Sequence, residues 1–273
     1  MINCNDWPIG VCSWSLGNDF DKIGILREQT ELNHIHLAVS PALAKKGQSY
    51  LSRAQKENWS ITATMIDFSQ EDYSTLESIK VTGGIVPDKY WDDNRKRVFD
   101  AVDITAELGV KYLSLHFGFL DLKDPDSAGK IIDRAKTLAD KAKQENIRLL
   151  METGQETATE LRQFLEELNH PALGVNFDPA NMILYNKGSP VKAVQTLAPW
   201  IKHVHIKDAL YTQTPGTWGL EVPWNTGQVG GNEFLKTLKM INFNGALAVE
   251  RESGNNRFGD IKTAIDALIG FAG

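Results

Sequence analysis

Cys4 and Cys12 are the only thiols in this 273-residue chain, and their spacing matches neither C-x-x-C zinc ligation nor a redox pair. That excludes a disulfide-stapled secreted scaffold, and a reduced cytoplasmic protein is expected. Long apolar runs are missing as well. None approaches the ~18 residues that cross a bilayer, and the opening MINCNDWPIG has neither a charged n-region nor an apolar h-region. A soluble chain with no membrane partner is expected. Basic clusters are also absent: 29 Lys and Arg are interspersed with 35 Asp and Glu, for a net charge of -6. A nucleic-acid partner is therefore not expected, since its footprint is a basic stripe. No G-x-G-x-x-G follows the first apolar run, which removes the main signal of a dinucleotide-binding open sheet.

The chain does have 42% hydrophobic residues, enough at this length for a full core. They gather in eight short apolar or β-branched runs: IGVCSW from Ile9, HIHLAV from His34, ITATMI from Ile61, VKYLSLHF from Val110, IRLLMET from Ile147, LGVNFD from Leu173, IKHVHIKD from Ile201 and ALAVE from Ala246. Each is bounded by turn or polar residues, as buried parallel strands are. Between them lie segments of helical periodicity. The clearest is SAGKIIDRAKTLADKAKQEN, with an apolar stripe of Ile131, Ile132, Ala135, Leu138, Ala139 and Ala142. DDNRKRVFDAVDITAELG ends in Gly109 at a C-cap, and ATELRQFLEELN precedes Pro171. Strand and helix alternate without a long polar linker, which predicts one α/β domain over 1–273, a single (β/α)₈ TIM barrel, with a doubly wound open sheet as the alternative. The connections Asp67 to Tyr90 and Asp208 to Gly231 are longer than the rest. Both follow strands, so they are expected at the C-terminal face, covering the site.

Polar residues stand at the ends of the last four runs: Glu152, Asp178, His205 and Glu250, one per run. Taken singly, an acidic residue at a strand end is more often a helix N-cap or a surface partner than a ligand. Four on consecutive strands are different, because adjacent strand ends of a barrel converge on one mouth. Three carboxylates brought together there would repel and raise each other's pKa unless a cation neutralised them. One divalent ion resolves the conflict. Oxygen and imidazole ligands suit Mn²⁺, Co²⁺, Mg²⁺ or Zn²⁺, and the lack of thiolates argues against a structural zinc. His203 reads as a hydrogen-bonded core residue, His34 and His36 as parts of the second strand, and His170 as a turn residue. His116, near the end of the fourth run, is placed at the border of the site as a substrate contact.

The stretches METGQET, NFDPAN, HVHIKDA and ALAVERE resemble the sugar phosphate isomerase/epimerase group of the xylose-isomerase-like barrels, whose relatives include ketose 3-epimerases, inosose isomerases and apurinic endonucleases. The resemblance runs from IGVCSW to the last helix, and it is more specific for fold and metal site than for substrate. It implies that Glu152, Asp178, His205 and Glu250 form the metal quartet, and that Glu152 and Glu250 also flank the substrate carbon. Ketose epimerases carry a Glu six residues after the first ligand, a His three after the ligand Asp and an Arg six after the ligand His. Here Ala158, Asn181 and Tyr211 stand at those places, which implies a changed recognition shell. Asn181 also replaces a zinc ligand of the nuclease branch, and the loop from Asp208 to Gly231 has no His, which speaks against a trinuclear site.

These residues predict a metal-dependent isomerase or epimerase of a small carbohydrate, a sugar, sugar phosphate or inosose-like polyol ketone. Glu152 and Glu250 would act as base and acid on a C–H beside a carbonyl, through a metal-stabilised enediolate. A lyase or dehydratase would use the same intermediate. Asn181, Lys207 and Arg251 join His116 as candidate substrate contacts. Lys207 has an ion pair with a nearby carboxylate as its alternative, Asp208 either orients Lys207 or caps the loop, and Arg251 has pairing with Glu252 at the rim. A phosphodiesterase or other hydrolase of the nuclease branch needs further ligands or a basic groove. A non-catalytic sugar-binding barrel has no need for two carboxylates on opposite sides of one carbon. A homo-oligomer is compatible with the sequence.

Overall fold

The eight runs form eight parallel strands, each followed by a helix. The computed structural model describes residues 2–44 and 48–271. Its strands are β1 (Trp7–Cys12), β2 (His34–Ala38), β3 (Ser60–Met65), β4 (Tyr112–Leu115), β5 (Arg148–Glu152), β6 (Leu173–Phe177), β7 (Ile201–Ile206) and β8 (Ala246–Val249). Neighbours pair in parallel all the way round, and β1 pairs with both β2 and β8, so the sheet closes into a barrel. The following helices are α1 (Phe20–Thr30), α2 (Gln48–Lys56), α3 (Trp91–Glu107), α4 (Pro125–Gln144), α5 (Ala158–Leu168), α6 (Pro190–Leu197), α7 (Gly231–Met240) and α8 (Arg257–Ile269).

The two faces of the strands differ in chemistry because successive side chains alternate. Ile9, Val11, Ile35, Leu37, Leu113, Leu115, Val175, Phe177, Val204, Ile206, Leu247 and Val249 join the apolar layer beneath the helices. Phe177, for example, stacks on Phe234 of α7 with ring centroids 5.8 Å apart. The alternate positions, among them Cys12, His36, Glu152, Asn176, His203 and His205, are equally buried but polar or small. This barrel interior therefore holds a hydrogen-bonded imidazole and amide layer where branched aliphatic side chains commonly sit.

Local signals set the helix ends. Thr157 and Glu160 form a reciprocal capping box at the start of α5, and Asn169 ends it in the left-handed region. Gly109 lies one residue beyond the C-cap of α3 with φ +69°. The first run leaves the strand earlier than its composition suggests, because Ser13–Leu16 turn into a short 3₁₀ segment. Two elements were not evident in the sequence: Asn3–Cys4 pairs antiparallel with β1, and Asp208–Leu210 pairs antiparallel with Leu220–Val222 as a ribbon. No helix among the described residues is long and apolar enough to cross a membrane.

Both long connections lie where the strand order predicts, and both carry internal order. The one after β3 contains a helix over Leu76–Thr82 and a 3₁₀ turn over Asp88–Tyr90. It is pinned to the end of β4 by Ile85 N–H donating to the Phe117 carbonyl at 2.9 Å. Gly84, at φ +63°, passes so close that a Cβ would meet the Phe117 backbone at 2.1 Å, which leaves room for glycine alone. From α4, buried Arg134 donates to the carbonyls of Ile85 (2.9 Å) and Val86 (2.6 Å) and pairs with Asp88. Arg134→Ala strips both carbonyls of their donor and is expected to lower the unfolding free energy by about 2–3 kcal/mol. Urea denaturation compared with the parent protein measures this, and an unchanged midpoint would show that the anchor contributes nothing.

Candidate functional site

The floor of the site is built from the imidazole layer upward. His36 Nε2 lies 3.1 Å from the Thr64 carbonyl, which only accepts, so that nitrogen carries the proton. Burial, with His205 adding to it, pushes His36 down to about 3, so it is neutral and its Nδ1 is an acceptor. His205 Nε2, 3.0 Å away, therefore donates to it. The Asn176 amide lies 3.0 Å from the same His205 nitrogen and 3.0 Å from His203 Nδ1. His203 Nε2 is within 3.0 Å of Thr62 Oγ1. This chain makes His205 Nε2 a donor and turns Nδ1 to the mouth of the barrel. Against burial, Cys12, Glu250 and Glu152 push His205 well above the ordinary histidine range, so that Nδ1 carries a proton which a bound cation would replace.

Three carboxylates meet that nitrogen. His205 Nδ1 is 3.3 Å from Glu152 Oε1, 3.6 Å from Asp178 Oδ2 and 3.1 Å from Glu250 Oε2. One oxygen of each carboxylate is tethered by the protein. Trp14 Nε1 donates to Glu250 Oε1 at 2.6 Å, Asn181 Nδ2 to Glu152 Oε1 at 3.2 Å, and Asn181 N–H to Asp178 Oδ1 at 2.9 Å. Asp178 is thus a helix N-cap as well as a member of the cluster. Glu152 Oε2, Asp178 Oδ2, Glu250 Oε2 and His205 Nδ1 are buried without a hydrogen-bond partner. One ligand atom from each of the four residues lies within 4.8 Å of the others. Atoms held at about 2.0–2.6 Å from a common ion satisfy that spacing, and the oxygen and imidazole donors fit a divalent cation.

Charge compensation is partial. Buried Lys207 lies 3.0 Å from Glu250 Oε2, 3.7 Å from Asp178 Oδ2 and 2.7 Å from Glu252 Oε2. Burial opposes ionisation of Glu250, but Lys207 and His205 outweigh it and hold Glu250 well below the ordinary carboxylate range. Glu152 is likewise held below that range against burial, by His116 and His205. Asp178 goes the other way, pushed up to about 6 mainly by burial. Glu152, Asp178, Glu250 and Glu252 outnumber the single ammonium of Lys207, an excess of buried negative charge that favours a bound cation.

Above this floor opens a cavity of about 910 Å³. Of the residues singled out from sequence, Glu152, Glu250, His116, Asn181 and Lys207 line it. His116 Nε2 sits 3.6 Å from Glu152 Oε2. Arg251 lies outside the lining. Its guanidinium is engaged by Glu221 (2.6 Å) and Asp260 (2.9 Å), and Glu252 pairs with Lys207 instead of with Arg251. Asp208 caps the loop, accepting from the backbone N–H of Ala209, Gly227 and Val229. Sequence reasoning missed Trp14, Glu252, Glu71 and the aromatic trio Tyr73, Tyr185 and Trp218, all in the lining. Only Trp14 carried a signal, as a bulky aromatic just past the end of the first run.

The placement of Arg251 gives a test. Arg251→Ala leaves the buried carboxylate of Glu221 without its cation and is expected to cost about 3 kcal/mol of stability. Thermal or urea denaturation reads it. A variant of normal stability that instead fails to bind ligand would contradict the bracing arrangement.

Comparison with known proteins agrees with this fold. The family model described as "Xylose isomerase-like TIM barrel" matches residues 16–270. A stretch of 60 residues is 45% identical to the uncharacterized protein YihM of Escherichia coli (strain K12), spanning 22% of this chain and only 18% of that protein. Among solved structures, a xylose isomerase domain protein from Planctomyces limnophilus superposes with a TM-score of 0.86 at 27% identity, covering 97% of this chain and 96% of that one. A xylose isomerase-like TIM barrel protein from Mycobacterium smegmatis, in complex with magnesium, gives 0.74 at 17% identity over 98% and 97%. The 3-keto-D-glucoside 4-epimerase YcjR of E. coli gives 0.70 at 14% identity over 96% and 98%. Others sharing the fold include an L-ribulose 3-epimerase and a probable 3-DHS dehydratase of Bacillus anthracis. With nearly the whole chain matched and the barrel closed, the protein belongs to the xylose isomerase-like TIM barrel family.

Proposed function

We propose that residues 1–273 form a single-domain, divalent-metal-dependent isomerase or epimerase of a carbohydrate bearing a carbonyl next to a hydroxyl-bearing carbon. The observation that carries this reading is the convergence of Glu152, Asp178, His205 and Glu250 at the floor of a large cavity, one ligand atom of each within 4.8 Å of the others, with an oxygen of each carboxylate and His205 Nδ1 buried without a hydrogen-bond partner. Mn²⁺, Co²⁺, Mg²⁺ or Zn²⁺ suits those donors. Such an ion, when bound, supplies Lewis-acid stabilisation for negative charge developing on the carbonyl oxygen.

The chain's own groups do the rest. Glu152 and Glu250 are both held ionised, as proton acceptors must be. One carboxylate takes the C–H proton and becomes the carboxylic acid. For epimerisation the other, after taking up a proton from solvent, delivers it to the opposite face, and for isomerisation the first gives its proton back at the neighbouring carbon. His116, beside Glu152, and Lys207, beside Glu250, are placed to hydrogen-bond substrate oxygens. Asn181 Nδ2 is committed to Glu152. That supports a single cation over the multi-zinc arrangement of the nuclease branch.

Equilibrium dialysis should find one divalent ion per chain, removable by chelator with a fall in melting temperature and restored by Mn²⁺. Trp14→Phe keeps a ring beside His36 but loses the tether on Glu250 Oε1, and should weaken Mn²⁺ affinity about tenfold or more. A protein that takes up no divalent ion would overturn the reading.

Turnover of a ketose, aldose or inosose substrate in D₂O should place deuterium at the reacting carbon. Glu152→Gln and Glu250→Gln should each cut turnover by about 10²-fold or more, with bound metal measured in parallel. Near-normal turnover in both variants would remove the two glutamates from the proton-transfer step.

A further inference from the structure

The cavity above the cluster is larger, more aromatic and more acidic than a single sugar ring or a sugar phosphate calls for. Even if each non-hydrogen atom of a hexose is allowed roughly 30 Å³, a water's share of the liquid, one ring takes less than half of the 910 Å³. The remaining space is bounded by an aromatic wall that starts at the cluster and runs outward. His116, 3.6 Å from Glu152, neighbours Tyr73 with ring centroids 6.2 Å apart. Tyr73 neighbours Trp218 at 6.5 Å, and Trp218 meets Tyr185 edge-on at 4.7 Å. These rings come from separate connections: Tyr73 after β3, His116 after β4, Tyr185 after β6 and Trp218 after β7. Tyr73 stays 45% exposed despite belonging to the wall. The indole N–H of Trp218 and Nδ1 of His116 are buried without a hydrogen-bond partner. A pyranose offers what such a surface lacks, since its C–H face packs on the negative face of an aromatic ring while its hydroxyls take up the unused polar atoms.

Charge narrows the class further. Among the described lining residues, six carboxylates, Asp67, Glu71, Glu152, Glu221, Glu250 and Glu252, stand against two cations. Both cations are engaged, Lys207 by Glu250 and Glu252 and Arg97 by Asp67. The lining stays net negative after a divalent ion is added, so a phosphate ester meets repulsion there.

Resting on the isomerase or epimerase reading of the same cluster, we infer that the substrate is an uncharged two-ring carbohydrate, a disaccharide or an aryl glycoside whose reacting ring carries the carbonyl. The reacting ring lies over Glu152 and Glu250, and the second ring lies against Tyr73, Trp218 and Tyr185.

Isothermal titration of the Mn²⁺-loaded 273-residue chain with glucose, glucose 6-phosphate, maltose, cellobiose, sucrose and phenyl glucoside tests this by binding alone. At least one two-ring compound should bind about tenfold or more tightly than glucose, and glucose 6-phosphate should bind no more tightly than glucose. Trp218→Ala should abolish that advantage while keeping one Mn²⁺ per chain. Tyr73→Ala, in an exposed part of the loop, should reduce it and serves as the second variant should Trp218→Ala fail to fold. The inference is overturned if no two-ring compound outbinds glucose, if glucose 6-phosphate is the preferred ligand, or if the preference survives in both folded variants. Two-ring binding without deuterium exchange on any substrate would instead remove the proton-transfer reading and leave the binding preference standing. Exchange on a sugar phosphate or free hexose alone would do the reverse.

Discussion

Three carboxylates buried side by side are a repulsive arrangement, and most of what is particular about this barrel follows from holding them there. Each has one oxygen fixed by a neutral donor, Trp14, the Asn181 side chain or the Asn181 backbone, and a second, buried oxygen without a hydrogen-bond partner, that of Glu250 lying against Lys207. The tethers set direction without neutralising charge. Lys207 supplies one positive charge from the side, and His205 Nδ1 completes the set from below. Buried carboxylates without compensation would take up protons. The arrangement is consistent only with a cation at its centre or with protonation in its place.

The same requirement shapes the barrel interior. A ligand imidazole must present a bare nitrogen, so its other nitrogen needs an acceptor, and that acceptor must itself be held neutral. His36 meets this because Thr64 takes its only proton and burial keeps it from gaining a second. Asn176 and His203 extend the network to the wall at Thr62. An interior filled this way gives up aliphatic packing along the barrel axis. The fold recovers apolar burial on the outer face of the strands, where Ile, Leu, Val and Phe meet the helices.

The loops answer a different demand. The connection after β3 is anchored at Gly84, Ile85 and Arg134, and the one after β7 by the carboxylate of Asp208 and a two-stranded ribbon. They bring Tyr73 and Trp218 together, ring centroids 6.5 Å apart, at the mouth. Arg251 belongs to this bracing and not to the cavity. Its pair with Glu221 ties the ribbon to the end of β8, and Asp260 ties both to α8. An arginine directly after an inward-facing glutamate at a strand end looks like a substrate contact in sequence, but the chain alternates direction there, so the residue after an inward-facing one turns away.

The amino-acid sequence by itself determined the number and order of the strands, the helices between them and the quartet at the strand ends. Each of these is written in local periodicity, and a closed barrel brings consecutive strand ends together whatever the details of its loops. Only the tertiary structure decided which residues tether the quartet and which line the space above it. Trp14 and Glu250 are 236 positions apart, and Tyr73, Tyr185 and Trp218 come from three separate connections. No window of sequence contains such a group. Their partnership is created when the first strand closes against the last and the loops pack over the mouth, a long-range geometry that local preference does not encode.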